Sequence, residues 1–422
     1  MSRENNIRNT FDGKDRIIKH KSGCTICLYP MPKYSSAYAV FGTKYGSVDT
    51  TFKTKKDNDY ITVPEGIAHY LEHKLFENDE CDAMELYSKT GASANAFTSF
   101  DCTAYLFSCT QNFSENLKIL LNFVQEPYFT DENIEKERGI ISQEIKMYLD
   151  DPGTRVLYNC LGAVYHNNPV RIDIAGTVES IQDINKELLY RCYNTFYNLN
   201  NMVLSIAGNF DPDEAIEICD ELLKPSDNPE VDAVVPDEPY EVKEKKVIQK
   251  LSCAIPLFQI GFKIPLPSEQ YKQYIVYNIM LEAALGSTSY FYDKLYEDGL
   301  INDSFGVGVF SGRGFFLPIV TGIAREPEKV TELVINELNR LKKEGIPKED
   351  VRIVTKMTYG DLFSTFNNVE SVGRAAMNAH FDNRDIFTGV ETTAKVTYED
   401  VMAALNELDL DNYSLSIVEP NS

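Results

Sequence analysis

The strongest constraint on the fold is an internal repeat. Residues 112–117 lead through an amphipathic helical pattern into 129–135, and residues 325–330 lead in the same way into 346–352. Each copy reads as strands followed by long helices, and a length of 422 residues suits two or three domains, so each half is expected to form a layered unit. The expected class is α+β: two homologous halves, each an antiparallel sheet packed with helices. The Pro- and Asp-rich run from Lys224 to Pro239 has neither helical nor strand period and reads as the connection. The expected division is 1–224, a linker at 225–246, and 247–422.

The two halves differ in chemistry. The first contains His69-Tyr70-Leu71-Glu72-His73, an H-x-x-E-H pattern in a chain with only five histidines. Side chains four apart on a helix have Cβ atoms about 5 to 6 Å apart, so both imidazoles can reach one ion at about 2.0 to 2.1 Å. Glu72 then lies beside the open position and can take a proton from water. The flanks read as a helix, with Thr62 as cap, Pro64 and Glu65 in the first turn, and Ile67, Leu71, Leu75 and Phe76 as its apolar face. The bland alternative is a pair of surface histidines. In the second half the corresponding segment, Tyr274 to Leu285, is apolar and structural in character.

A catalytic zinc keeps three protein ligands, so a third is needed. His20, His166 and His380 lie in unrelated contexts and suit surface or core roles. Glu144 is the better candidate. It falls in a long helical pattern from Thr130 to Asp150, among Ile140, Ile141 and Tyr148, where a carboxylate is costly to bury without a cation. Glu137, two turns earlier on the same stripe, suits a carboxylate that orients a ligand, or else a solvated face.

His69-x-x-Glu72-His73, with Glu137 and Glu144 on a later helix, resembles the insulinase and pitrilysin family of zinc peptidases, in particular its half-length, processing-peptidase-like branch. The resemblance implies one zinc per chain held by His69, His73 and Glu144. It further implies Glu72 as the catalytic base with Glu137 in support, making 1–224 the catalytic zinc-binding domain and 247–422 its non-catalytic homologue. Residues 91–98 match the strand on which such enzymes lay the substrate backbone, which nominates Asn95, Ala96 and Phe97 as substrate-binding. The small residues of that stretch suit an exposed strand that another chain can approach through main-chain hydrogen bonds.

One segment departs from the family. Where self-sufficient members carry an Arg and a Tyr that grip the peptide, this chain has Tyr296 and Asn302. Neither reproduces a guanidinium's charge and fork of donors. The departure points to a dimer, expected as a heterodimer with a homologue that supplies the Arg and Tyr. The expected activity is zinc-dependent endopeptidase action on extended or unfolded peptides in a closed chamber. The alternative is a non-cleaving, peptide-binding or structural subunit.

Composition narrows partners and compartment. A formal charge of −23 argues against nucleic acid and favours basic peptides. No apolar run is long enough for a membrane span, and Met1 to Asn6 begin no apolar targeting segment, so the expected location is cytoplasmic. Cys24 and Cys27 lie in a strand-like run that points them to opposite faces, as packed thiols rather than a redox or metal pair.

Overall fold

The computed structural model describes residues 15–77 and 82–421. The first residues, read above for a targeting segment, lie outside the described residues. The chain begins with β1 (Arg16–Lys19), β2 (Thr25–Pro30), β3 (Ala37–Thr43), β4 (Thr51–Lys53) and β5 (Ile61–Thr62), then α1 (Ile67–Leu75) and α2 (Ala83–Thr90). The hairpin β6 (Ser93–Thr98) and β7 (Thr103–Cys109) precedes α3 (Phe113–Gln125), α4 (Asp131–Asp150), α5 (Pro152–Val164) and α6 (Lys186–Phe196). Next come β8 (Met202–Gly208), α7 (Pro212–Leu222) and β9 (Asp232–Ala233). The later half holds β10 (Lys246–Leu251), β11 (Leu257–Phe262), α8 (Gln270–Leu285), α9 (Tyr290–Glu297), β12 (Gly306–Gly312) and β13 (Phe315–Ile323). It ends with α10 (Pro327–Glu344), α11 (Lys348–Ser364), α12 (Val369–Phe381), α13 (Thr388–Thr393), α14 (Tyr398–Glu407) and β14 (Tyr413–Pro420).

These elements form two compact units. One takes the described residues up to 143 with 173–234 and 363–388, and the other takes 144–172, 235–362 and the described residues from 389 onward. Among the described residues, the first unit's main sheet runs β1-β2-β8-β3-β7-β6 and the second unit's runs β10-β14-β11-β13-β12. Apart from the extra β1 the two orders correspond strand for strand. In each, one parallel pair (β2 with β8, β10 with β14) is followed by three antiparallel pairings. The α+β class and the repeat are therefore features of the topology, with helices against sheets that are mostly antiparallel.

In the first unit β3 and β8 are buried along their whole length. Helix α3 packs against β3 and β7, and α12 packs against β3 and β8. A sheet covered on both faces needs apolar residues on both, which is why β7 reads as a near-continuous buried run instead of an alternation. In the second unit α5 packs against β11 and β14, and α8 contributes nine buried residues behind β12. Each unit thus contains one helix from a distant part of the chain.

Two local expectations change. Thr62 does not cap α1, because it is already paired with Thr51 in β5. The cap position falls to Gly66, at φ 88, and Pro64 and Glu65 precede the helix. A side chain cannot stand at Gly66, since an added Cβ would sit 2.4 Å from the Ala175 carbonyl oxygen. The connection, in turn, is not structureless: β9 pairs with β4 and makes a small three-stranded sheet with β5. Cys24 and Cys27 are free and buried, and burial pushes the Cys27 thiol up to about 12.

Candidate metal centre

The centre is built where α1 meets α4. Ile67, Leu71 and Leu75 bury the inner face of α1 and set its rotation. That leaves His69 8% exposed and His73 about a quarter exposed at the side chain. Helix α4 is opened by a reciprocal cap, in which the Asn133 N–H donates to Thr130 Oγ1 at 3.1 Å and the Thr130 N–H donates to Asn133 Oδ1 at 3.0 Å. Its inward residues Ile134, Ile141 and Ile145 are buried, whereas Ile140 is 49% exposed and points away. The Tyr70 hydroxyl donates to the Ile134 carbonyl and clasps the two helices together.

This clasp brings the expected ligands into one place. One donor atom each from His69, His73 and Glu144 lies within 4.8 Å of the others. The two imidazole centroids are 4.5 Å apart at 63°. Glu144 is carried by the same continuous helix as Glu137, seven residues or about two turns further on, so helix geometry sets its place. Two imidazoles and one carboxylate, partly buried, form a donor set that suits zinc and leaves a fourth position open.

The surrounding hydrogen bonds orient these groups. His73 Nδ1 stands 2.9 Å from Glu137 Oε1, which makes Nδ1 the protonated nitrogen and Nε2 the one that could take a metal. Glu137 is only 9% exposed. Burial pushes its carboxyl up, but the His73 hydrogen bond and charge, with Lys74 and Lys136, outweigh that and hold it below the usual range. Lys74 is fully buried and pairs with Glu77. The Tyr148 hydroxyl donates to Glu144 Oε1 at 2.8 Å. Glu72 accepts from Thr98 Oγ1 at 2.7 Å. Behind it the Tyr105 and Tyr197 hydroxyls are 2.9 Å apart, and burial, with Glu72's charge adding, pushes both phenols up.

Asn95, Ala96 and Phe97 lie on β6, the edge of the sheet, with Ala96 opposite Tyr105. Among the described residues no strand pairs with the outer side of β6. The Phe97 ring lies 4.7 Å from the Arg374 guanidinium of α12. Arg374 also donates to Glu370 at 3.0 Å. The other histidines are elsewhere: His20 bonds Ser22 and Asp220, the His166 backbone bonds Glu238, and His380 lies in the last turn of α12.

Neither Thr98 nor Tyr148 was assigned from the sequence as a support for the two glutamates. Tyr148 had a signal, since i to i+4 spacing puts its phenol over Glu144. Thr98 had none, because nothing local to β6 says which helix passes over it.

Known proteins resemble this chain along nearly its whole length. Residues 56–178 match the family model described as Insulinase (Peptidase family M16), and residues 183–357 match the one described as Peptidase M16 inactive domain. The chain is 39% identical over 414 residues to the uncharacterized zinc protease YmfH of Bacillus subtilis, covering 96% of both chains. Over 127 residues it is 33% identical to the mitochondrial-processing peptidase subunit beta of Caenorhabditis elegans, 29% of this chain and 28% of that one. It superposes on the crystal structure of an M16-like peptidase from Alicyclobacillus acidocaldarius with a TM-score of 0.93 at 35% identity, covering 97% of this chain and 98% of that one. Likeness that spans nearly the whole chain, in sequence and in fold, means that this protein belongs to the insulinase family, peptidase family M16.

Proposed function

We infer that this chain is a zinc-dependent endopeptidase for extended or unfolded peptides, holding one zinc ion through His69, His73 and Glu144. The observation that carries the reading is Glu72: it stands one residue from His73, on the helix that carries two of the three clustered donors, where a purely structural metal needs no base. Bound zinc would supply Lewis acidity, polarising a scissile carbonyl and making water a better nucleophile near neutral pH. Strand β6 offers its edge to an extended peptide, beside the helix α1 that carries His69 and His73. Glu72 takes the proton of the attacking water and returns it to the departing amine. Glu137 fixes the His73 tautomer throughout.

The same reading makes the chain the zinc-bearing member of a dimer. Tyr296, 53% exposed, and Asn302 stand where related chains carry an Arg and a Tyr, so a homologue with that pair completes the substrate grip. A related chain is named as a subunit, the mitochondrial-processing peptidase subunit beta, which fits a divided arrangement. The net charge of −23 favours basic peptides. Tyr296 and Asn302 also favour the second reading, a subunit that binds peptide without cutting it.

The test measures bound zinc and chelator-sensitive cleavage of quenched peptides by the purified chain, alone and co-expressed with such a homologue. Cleavage that depends on zinc and rises with the homologue is expected. Stoichiometric zinc with no cleavage in either preparation selects the non-cleaving subunit, and full activity of the chain alone removes the heterodimer.

A further inference from the structure

We propose that Thr98 is a positioning residue that couples the peptide-accepting strand β6 to Glu72. The inference rests on the peptidase reading of this site. The Thr98 hydroxyl donates to Glu72 Oε2 at 2.7 Å, across 26 residues of chain. A hydrogen bond to a carboxylate is among the stronger kinds, and this one fixes one of the two Glu72 oxygens.

Three features make Thr98 suited to hold rather than merely touch. Its Cβ is branched, so χ1 has few alternatives. Its backbone is fixed by pairing with Thr103, whose own hydroxyl donates to the Tyr45 carbonyl at 2.9 Å. Its face of β6 otherwise carries Ala94 and Ala96, which lets α1 pack close against the strand. Glu72, in contrast, has a long side chain on a helix, and the Thr98 hydroxyl ties its Oε2 to the strand.

The arrangement has a mechanistic consequence. The strand that pairs with the peptide backbone is the strand that aims the base, so peptide register and base position are set by one rigid element. Loss of the Thr98 hydroxyl therefore costs turnover and spares ground-state binding, which depends on the β6 backbone.

The test compares wild type, Thr98→Val and Thr98→Ser, each loaded with zinc. Crystal structures report the Glu72 carboxylate, metal analysis reports zinc, and steady-state kinetics on a quenched peptide report kcat and KM. In the Val variant we expect the Glu72 carboxylate to turn from its wild-type direction and kcat to fall roughly 10- to 100-fold, with KM and zinc within about twofold. The Ser variant should return Glu72 to place and restore kcat to within about threefold of wild type. An unmoved Glu72 in the Val variant overturns the proposal, as does equal loss in the Ser and Val variants. The two readings fail separately: a wild type that cuts no peptide while Glu72 still turns in the Val variant sinks the peptidase and leaves the positioning intact.

Discussion

His73 Nδ1 and Glu137 Oε1 are 2.9 Å apart, and the bond between them joins α1 to α4. Because Glu137 fixes which ring nitrogen carries the proton, its charge raises the basicity of the other. Glu137→Gln keeps the shape and removes the charge. Its zinc affinity is expected to fall about 10- to 100-fold, read by competition with a chromophoric chelator. Unchanged affinity would show that Glu137 is only a packing contact between the helices.

Glu72→Gln separates base chemistry from metal binding. Zinc content should stay at the wild-type level, because Glu72 is not among the three clustered donors. Turnover should drop roughly 10²- to 10⁴-fold, the usual contribution of a positioned general base. Retained turnover in the Gln variant would take the base role away from Glu72.

The fold and much of this site could be read from the sequence because they depend on spacing within single elements. His69, Glu72 and His73 need only one helix to share a face, and Glu137 and Glu144 need only a second. The repeat was legible for the same reason, since matching helix pairs recur along the chain. What escaped were relations between distant segments. The apolar face of α12 announces burial, but nothing in residues 369–381 says that it covers β3 and β8, more than 160 residues earlier in the chain. The start of α1 escaped likewise: Thr62, Pro64 and Glu65 form a plausible opening locally, and only the approach of Ala175 requires Gly66 to take the cap.

Gly66 therefore links the backbone to the metal centre. Gly66→Ala forces a left-handed conformation on a residue with a Cβ, a strain of about 1–3 kcal/mol, and presses that Cβ onto the Ala175 carbonyl oxygen at 2.4 Å. The facing residue Gly176, also at positive φ, has no slack either, since a Cβ there would lie 2.5 Å from the Glu65 carbonyl oxygen. The expected outcome is a thermal midpoint several degrees lower together with weaker zinc binding, measured by calorimetry with and without the metal. A midpoint within one degree of wild type would show that the two loops part easily.

Tyr148 supports Glu144 as Glu137 supports His73. Its hydroxyl donates to Glu144 Oε1 at 2.8 Å, one turn along the same helix. Tyr148→Phe deletes that donor and leaves the ring. Zinc affinity is expected to fall about tenfold, the low end for loss of a group that orients a ligand, with little change in thermal stability of the zinc-free protein. An equal loss of stability in the zinc-free protein would assign Tyr148 to packing instead.

A pH signature belongs to Glu238, in the connection between the halves. Its carboxylate accepts the His166, Asn167 and Asn168 backbone N–H groups at 2.7, 2.8 and 2.8 Å and pairs with the buried Lys263 ammonium at 2.8 Å. Burial pushes the Glu238 carboxyl up, but Lys263 and the three backbone donors hold it below its ordinary 4.5. Burial pulls Lys263 down, with Glu238 opposing. A carboxyl that is more acidic folded than unfolded releases its proton more readily in the folded state. Its stabilisation is therefore complete above the unfolded value near 4.5 and is lost as pH falls through the folded value. Glu238→Gln should cost about 1–3 kcal/mol at neutral pH, since it leaves Lys263 without its charge partner. The gap between wild type and variant in denaturant unfolding should stay level from pH 7 to 5 and close as the pH drops below about 4.5. A gap that widens in acid would mean that Glu238 is held as the neutral acid and that the three backbone donors do not stabilise its charge.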